Sequence, residues 1–97
     1  MKTLTVTAIF QARPGKEAEL RTALLGLVEP TRKEAGCINY DLHTASDGAG
    51  KFLFHENWTS QAALDAHLKS PQIQALLPRV DELCTAFPEI KTWEKIG

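Results

Sequence analysis

The sequence predicts an α+β fold of the ferredoxin-like, split βαβ kind, in which an antiparallel sheet carries its helices on one face. Three observations lead there. Apolar residues repeat at every second position near the start of the chain and then switch to helical spacing. Two further extended runs are separated only by the turn-rich stretch Ala45-Ser46-Asp47-Gly48-Ala49-Gly50, which marks a β-hairpin. A second helical pattern and a last alternating run complete the order β-α-β-β-α-β.

Over residues 3–12, Leu4, Val6, Ala8 and Phe10 share one face and Thr3, Thr5, Thr7 and Gln11 the other, the period of a half-buried strand. Arg13-Pro14-Gly15 breaks that run. From Lys16 onward Leu20, Ala23, Leu24, Leu27 and Val28 form one stripe of an amphipathic helix, expected to end with Gly36 as its C-terminal cap. Pro30 lies inside this pattern and predicts a break near Val28, because proline lacks an N–H and collides with the preceding turn. Residues 37–44 and 51–58 are the hairpin strands. Ser60 is placed to cap a short helix through Leu68, and Ser70-Pro71 to start another, with Pro78 as a break within it. Alternation returns over residues 89–96.

At 97 residues the chain is expected to be one domain spanning 1–97. A chain of this length buries only about two-thirds of its unfolded surface, so a partner subunit would help it. Ile9 and Leu53 point the same way, because they place apolar groups on the sheet face opposite Phe10 and Phe54. A homodimer covering that face is the expectation. With 11 Lys and Arg against 12 Asp and Glu the formal charge is -1, which offers no basic excess for nucleic acid. No apolar run nears the roughly 20 residues needed to span a bilayer, and the opening MKTLTVTAIFQ alternates, so a cytoplasmic protein without a membrane partner is expected. Cys37 and Cys84 lack any zinc-ligand spacing and read as free thiols.

The chemistry-bearing residues concentrate in FHENWTSQAALDAHLKS, residues 54–70. On the third strand Phe52, Phe54, Glu56 and Trp58 share one face, so the carboxylate is flanked by three aromatics and loses hydration, which raises its pKa unless a partner or hydrogen bonds hold the charge. Two readings of Glu56 stand: a functional group, or a buried structural carboxylate. His67 interrupts the apolar stripe of the short helix, where a satisfied core histidine is the commoner case, yet Trp58 ends the preceding strand and both rings can face the gap between sheet and helix. Two polar-tipped rings converging there suit a pocket. Tyr40 alternates with Ile38 and Leu42, as a core aromatic or a pocket wall. His43 and His55 lie on opposite arms of the hairpin and would be cross-strand neighbours with a turn centred near Ala49. No third ligand accompanies them, so no metal site is expected.

Pro14-Gly15-Lys16, TRKEAGCINYDLH at 31–43, FHENW at 54–58 and ALDAH at 63–67 together resemble the antibiotic biosynthesis monooxygenase family, over about residues 10–67. Most specific is Glu-x-Trp with a histidine nine residues after the tryptophan. The resemblance implies a dimeric ferredoxin-like α/β barrel and oxygenation of quinol, anthrone or related phenolic substrates by dioxygen, often without metal or flavin. It assigns catalysis to His67, Glu56 and Trp58, with Trp58 shaping the cavity, and substrate contacts to Tyr40, His43 and Phe54. Haem-degrading relatives use an Asn in the first strand, where this chain has Thr5 and Thr7, which argues against haem.

Three functions stay open. They are a cofactor-independent monooxygenase, an isomerase or other enzyme acting on a small phosphorylated or carbonyl metabolite, and a non-catalytic ligand-binding module. A phosphorylated substrate would call for cations at the pocket mouth, with Arg32 and Arg79 the candidates.

Overall fold

A computed structural model describes residues 3–97 of the chain. Four strands form one sheet in the order β2-β3-β1-β4, with every neighbouring pair antiparallel. They are β1 (Leu4–Gln11), β2 (Cys37–Thr44), β3 (Lys51–Trp58) and β4 (Glu89–Trp93). This is the predicted α+β, split βαβ arrangement. Alternation in β1 sends Val6, Ala8 and Phe10 into the core beneath the helices and turns Thr5, Thr7 and Ile9 to the opposite face.

The helical stripe that begins near Lys16 folds as two helices, α1 (Glu17–Leu25) and α2 (Val28–Arg32), rather than one reaching Gly36. The break falls at Gly26 and Leu27, just before the expected Val28. Pro30 becomes the third residue of α2, a position whose missing N–H has no intrahelical acceptor in any case. Gly36 lies beyond the helix and serves another purpose. Its φ is +85°, and a Cβ there would stand 2.5 Å from Ala63 Cβ and 2.8 Å from Thr59 Oγ1. Only glycine lets the entry to β2 press against the segment after β3, where Thr59 N–H donates to Gly36 O at 2.9 Å.

In the β2–β3 hairpin Tyr40 faces Glu56, Asp41 faces His55 and His43 faces Leu53. His43 and His55 are therefore not directly opposed, which corrects the register read from the turn. A bulge between Cys37 and Asn39 shifts the parity of β2, so Ile38 is 55% exposed and does not join Tyr40 in the core.

Four helical segments or turns separate β3 from β4. In α3 (Gln61–Leu68) Ser60 Oγ accepts the Ala63 N–H at 3.1 Å, the predicted cap. Then come α4 (Pro71–Leu76), a 3-10 turn at Leu77–Arg79 and α5 (Val80–Leu83). Pro71 opens α4 as expected, but the Ser70 hydroxyl makes no capping bond and is buried without a partner. Pro78 tightens the chain into the 3-10 turn. β4 stops at Trp93, three residues short of the alternating pattern, and all five of its residues are exposed.

The helices cover one face of the sheet. The other carries a polar ladder in which Thr5 Oγ1 donates to Asn57 Oδ1 at 2.6 Å and Asn57 Nδ2 to Asn39 Oδ1 at 2.7 Å. Among the described residues no helix is long and apolar enough to cross a membrane.

Candidate active site

A cavity of about 250 Å³ lies between the sheet and α3, α4 and α5. Most of its wall is apolar, from Val6, Ala8, Phe10, Phe54, Leu64 and Leu76 among others. The polar side chains in that wall are Tyr40, Glu56 and His67. Among the described residues no Lys or Arg belongs to it. Phe87, Ile90 and Leu77, all partly exposed, line the same space and mark its rim.

Glu56 reaches the cavity because the period of β3 sends residues 52, 54, 56 and 58 to the helix face. It is only 3% exposed. Burial raises its pKa from 4.5 to about 7, against the opposing pull of Trp58, whose indole Nε1–H donates to Glu56 Oε1 at 2.9 Å. Glu34 adds a further upward push. Trp58 itself is fully buried and does not line the cavity. The expected wall is therefore a support, and the tryptophan acts on the site by holding a carboxylate oxygen from behind.

His67 lines the cavity from α3, where its spacing with Leu64 turns both inward. Its ring lies 4.7 Å from the Trp58 ring, centroid to centroid and tilted by 31°, and 5.3 Å from Tyr40 in an edge-on arrangement. Its Nδ1 is 3.0 Å from Glu34 Oε2. Tyr40 stacks on Phe54 at 4.4 Å. Burial and the nearby Glu56 push its hydroxyl pKa well upward, so the phenol keeps its proton and stays a donor. Thr31, from α2, shares a hydrogen bond with that hydroxyl.

His67, Glu56, Tyr40 and Phe54 are thus brought together. His43 is not, because in β2 it sits three positions from Tyr40, exposed on the far face. The two arginines weighed for a phosphate are also elsewhere. Arg32 is tied to Tyr40 O and Asp41 outside the cavity, and Arg79 pairs with Glu82 and lines a separate groove between α1 and α4.

The family described as Antibiotic biosynthesis monooxygenase matches residues 3–79, which include Tyr40, Glu56 and His67. The chain belongs to the antibiotic biosynthesis monooxygenase family. Over 82 residues it is 39% identical to the Mycobacterium tuberculosis protein named "Putative monooxygenase Rv0793", an alignment covering 84% of this chain and 80% of that one. The solved structure of Rv0793 superposes with a TM-score of 0.91 at 33% identity, covering 98% of this chain and 96% of that chain. PA3566 from Pseudomonas aeruginosa gives a TM-score of 0.94 at 30% identity, with 100% and 97% covered. Monooxygenase-like chemistry on a small molecule is the role this family membership supports.

Within this family member, sequence reasoning missed Thr31, Glu34 and Gln72. Thr31 and Glu34 lie inside the motif TRKEAGCINYDLH, yet their partners are far along the chain. Gln72 Nε2 donates to Thr31 Oγ1 at 3.2 Å and to Glu34 Oε2, across sequence separations of 41 and 38. No local period reports such a contact.

Proposed function

We propose that the protein is a monooxygenase that needs no resident cofactor and acts on quinol, anthrone or similar phenolic molecules. The observation that carries this reading is a nearly apolar cavity in which the polar groups are one carboxyl held near pKa 7, one imidazole and one neutral phenol. Such a set can remove a proton, hold the resulting oxyanion and exclude water.

The chemistry closes on two reactants. Removal of a phenolic or activated C–H proton leaves an electron-rich anion that passes an electron to dioxygen, and the radical pair combines to form a C–O bond. The hydroperoxide then loses the second hydrogen of that carbon as a proton while its O–O bond breaks, leaving one oxygen as a carbonyl on the substrate and releasing the other as water. All the electrons come from the substrate. In this scheme His67 accepts the first proton, Glu56, near half protonation at neutral pH, returns a proton to the departing oxygen, and Tyr40 donates to the substrate oxyanion while Phe54 stacks on its ring. A cavity of about 250 Å³ lies below the about 300–1,000 Å³ usual for drug-sized ligands, which favours the one- and two-ring quinols of that class over the three-ring anthrones.

A phosphorylated metabolite fits less well, since no Lys or Arg among the described residues lines the cavity. The protein acts as a homodimer in this reading, the partner covering the sheet face away from the helices. Oxygen uptake with a panel of one-, two- and three-ring quinols and anthrones, after removal of metal and flavin, is the test. Consumption of one dioxygen per substrate with one labelled oxygen retained in the product is expected. Uptake that appears only on adding flavin or metal would sink the reading.

A further inference from the structure

Imidazole can serve as a base only through the ring nitrogen that lacks a proton, so the tautomer of His67 decides which atom does the work. Its Nδ1 stands 3.0 Å from Glu34 Oε2. An ionised carboxylate has no proton to give, so the bond requires the proton to be on Nδ1. A second contact fixes the acceptor role of that oxygen, because the Gln72 side-chain amide from α4 donates to the same Oε2 while also reaching Thr31 Oγ1. Trp58 and Tyr40 meanwhile pin the ring by stacking and edge contact, so it cannot turn over without moving both.

The elements packed around His67 present few other titratable groups. Glu56 on β3 accepts the Trp58 indole N–H, Tyr40 on β2 is held neutral, and α4 contributes the uncharged Gln72. Glu34 is the carboxylate in contact with the ring. We propose that Glu34, steadied by Gln72 and Thr31, is a positioning residue that locks His67 in the Nδ1–H tautomer and thereby makes Nε2 the proton acceptor for the cavity. The proton released when a substrate O–H or C–H bond breaks forms the new N–H bond at Nε2. The imidazolium so produced is stabilised by the Glu34 carboxylate, as an orienting acid stabilises a general base elsewhere. The identity of the substrate proton rests on the function proposed above. The tautomer does not.

Long-range proton–nitrogen correlation spectra of the labelled protein, recorded where His67 is neutral, read the tautomer directly and need no substrate. The expected spectrum shows a protonated Nδ1 and an unprotonated Nε2. Glu34→Ala removes the acceptor, and the ring moves toward the Nε2–H form that free imidazole side chains prefer. Gln72→Leu keeps the carboxylate but frees it, giving a smaller shift in the same direction. Once a substrate is found, Glu34→Ala lowers kcat by about tenfold to a hundredfold with KM little changed, the size typical of losing an orienting partner. A wild-type spectrum showing Nε2–H overturns the proposal without any variant having to fold. So does a tautomer that both variants leave unchanged. The Nδ1–H spectrum with no oxygen uptake on any phenol would support the positioning role and refute the proposed reaction instead.

Discussion

Glu56 is a carboxyl buried in the core, and the cost of its burial has a sign that can be measured. A carboxyl whose folded pKa lies above its unfolded value binds its proton more tightly in the native state, so between the two values unfolding releases protons and stability falls as pH rises. The stability is full below about pH 4.5 and has been lost above about pH 7, the opposite of a salt-bridged carboxylate. At about 1.4 kcal/mol per unit the shift from 4.5 to about 7 amounts to about 3 kcal/mol. Glu56→Gln keeps the shape and removes the titration. Urea denaturation between pH 4.5 and 8 should show the difference between variant and wild type changing by about that amount in the variant's favour, and parallel profiles would refute a raised native pKa. Trp58→Phe makes a second, independent demand. It deletes the indole N–H that stabilises the carboxylate, a charge-assisted bond worth about 1.5–3 kcal/mol, so the Glu56 pKa should climb by about one to two units. If Glu56 controls the rate, the corresponding limb of kcat/KM against pH moves with it; a limb that stays put assigns the control to His67. Period-two spacing was enough to place Glu56 and Trp58 on one face, but it could not tell a pocket wall from a support behind it, because both face inward.

At the level of elements, the parts legible in the sequence are those set by near neighbours. The Ser60 cap, the start of α4 at Pro71 and the alternation of β1 and β3 each depend on contacts within a few residues or on one repeated period. What was not legible depended on the far side of the fold. The bulge at Ile38 breaks the parity of β2, and the Glu34–His67 and Glu34–Gln72 contacts join segments more than thirty residues apart. Gly36 illustrates the difference. Its glycine looked like a helix cap, while the structure uses it to bring the turn after α2 against α3. Gly36→Ala must accept a positive φ and a Cβ 2.5 Å from Ala63 Cβ, and should cost about 2–4 kcal/mol in chemical denaturation. Because Glu34 is two residues away, that variant should also disturb the His67 ring signals. Ser60→Ala, by contrast, should cost about 1 kcal/mol and leave those signals alone. Equal losses in the two would mean that Gly36 has no role beyond the turn.

For the whole molecule the open question is what covers the sheet. Ile9 and Leu53 are half-buried on the face away from the helices, Ile38 is 55% exposed at the β2 edge, and Phe87, Ile90, Trp93 and Ile96 are exposed between residues 87 and 96. That density of apolar surface on and beside β4, an edge strand of the sheet, is more than isolated surface residues explain. Trp93 is the natural anchor. Its indole is already oriented by donation to Thr7 Oγ1 at 2.7 Å, and Lys91 lies 4.5 Å over its ring, so little freedom would be lost on burying it. Light scattering at micromolar concentration is expected to give twice the 10.7 kDa chain mass. Trp93→Ala should weaken the association by about 2 kcal/mol or more, about a thirtyfold rise in the dimer Kd. The cavity should respond too, since Phe87 and Ile90 form its rim and sit on the same stretch of chain as Trp93; KM for an active substrate should rise as the protein is diluted through that Kd. A dimer indifferent to Trp93→Ala would place the interface elsewhere on the molecule. A monomer at every concentration would end the idea, and would leave β4 as an exposed apolar edge prone to aggregation.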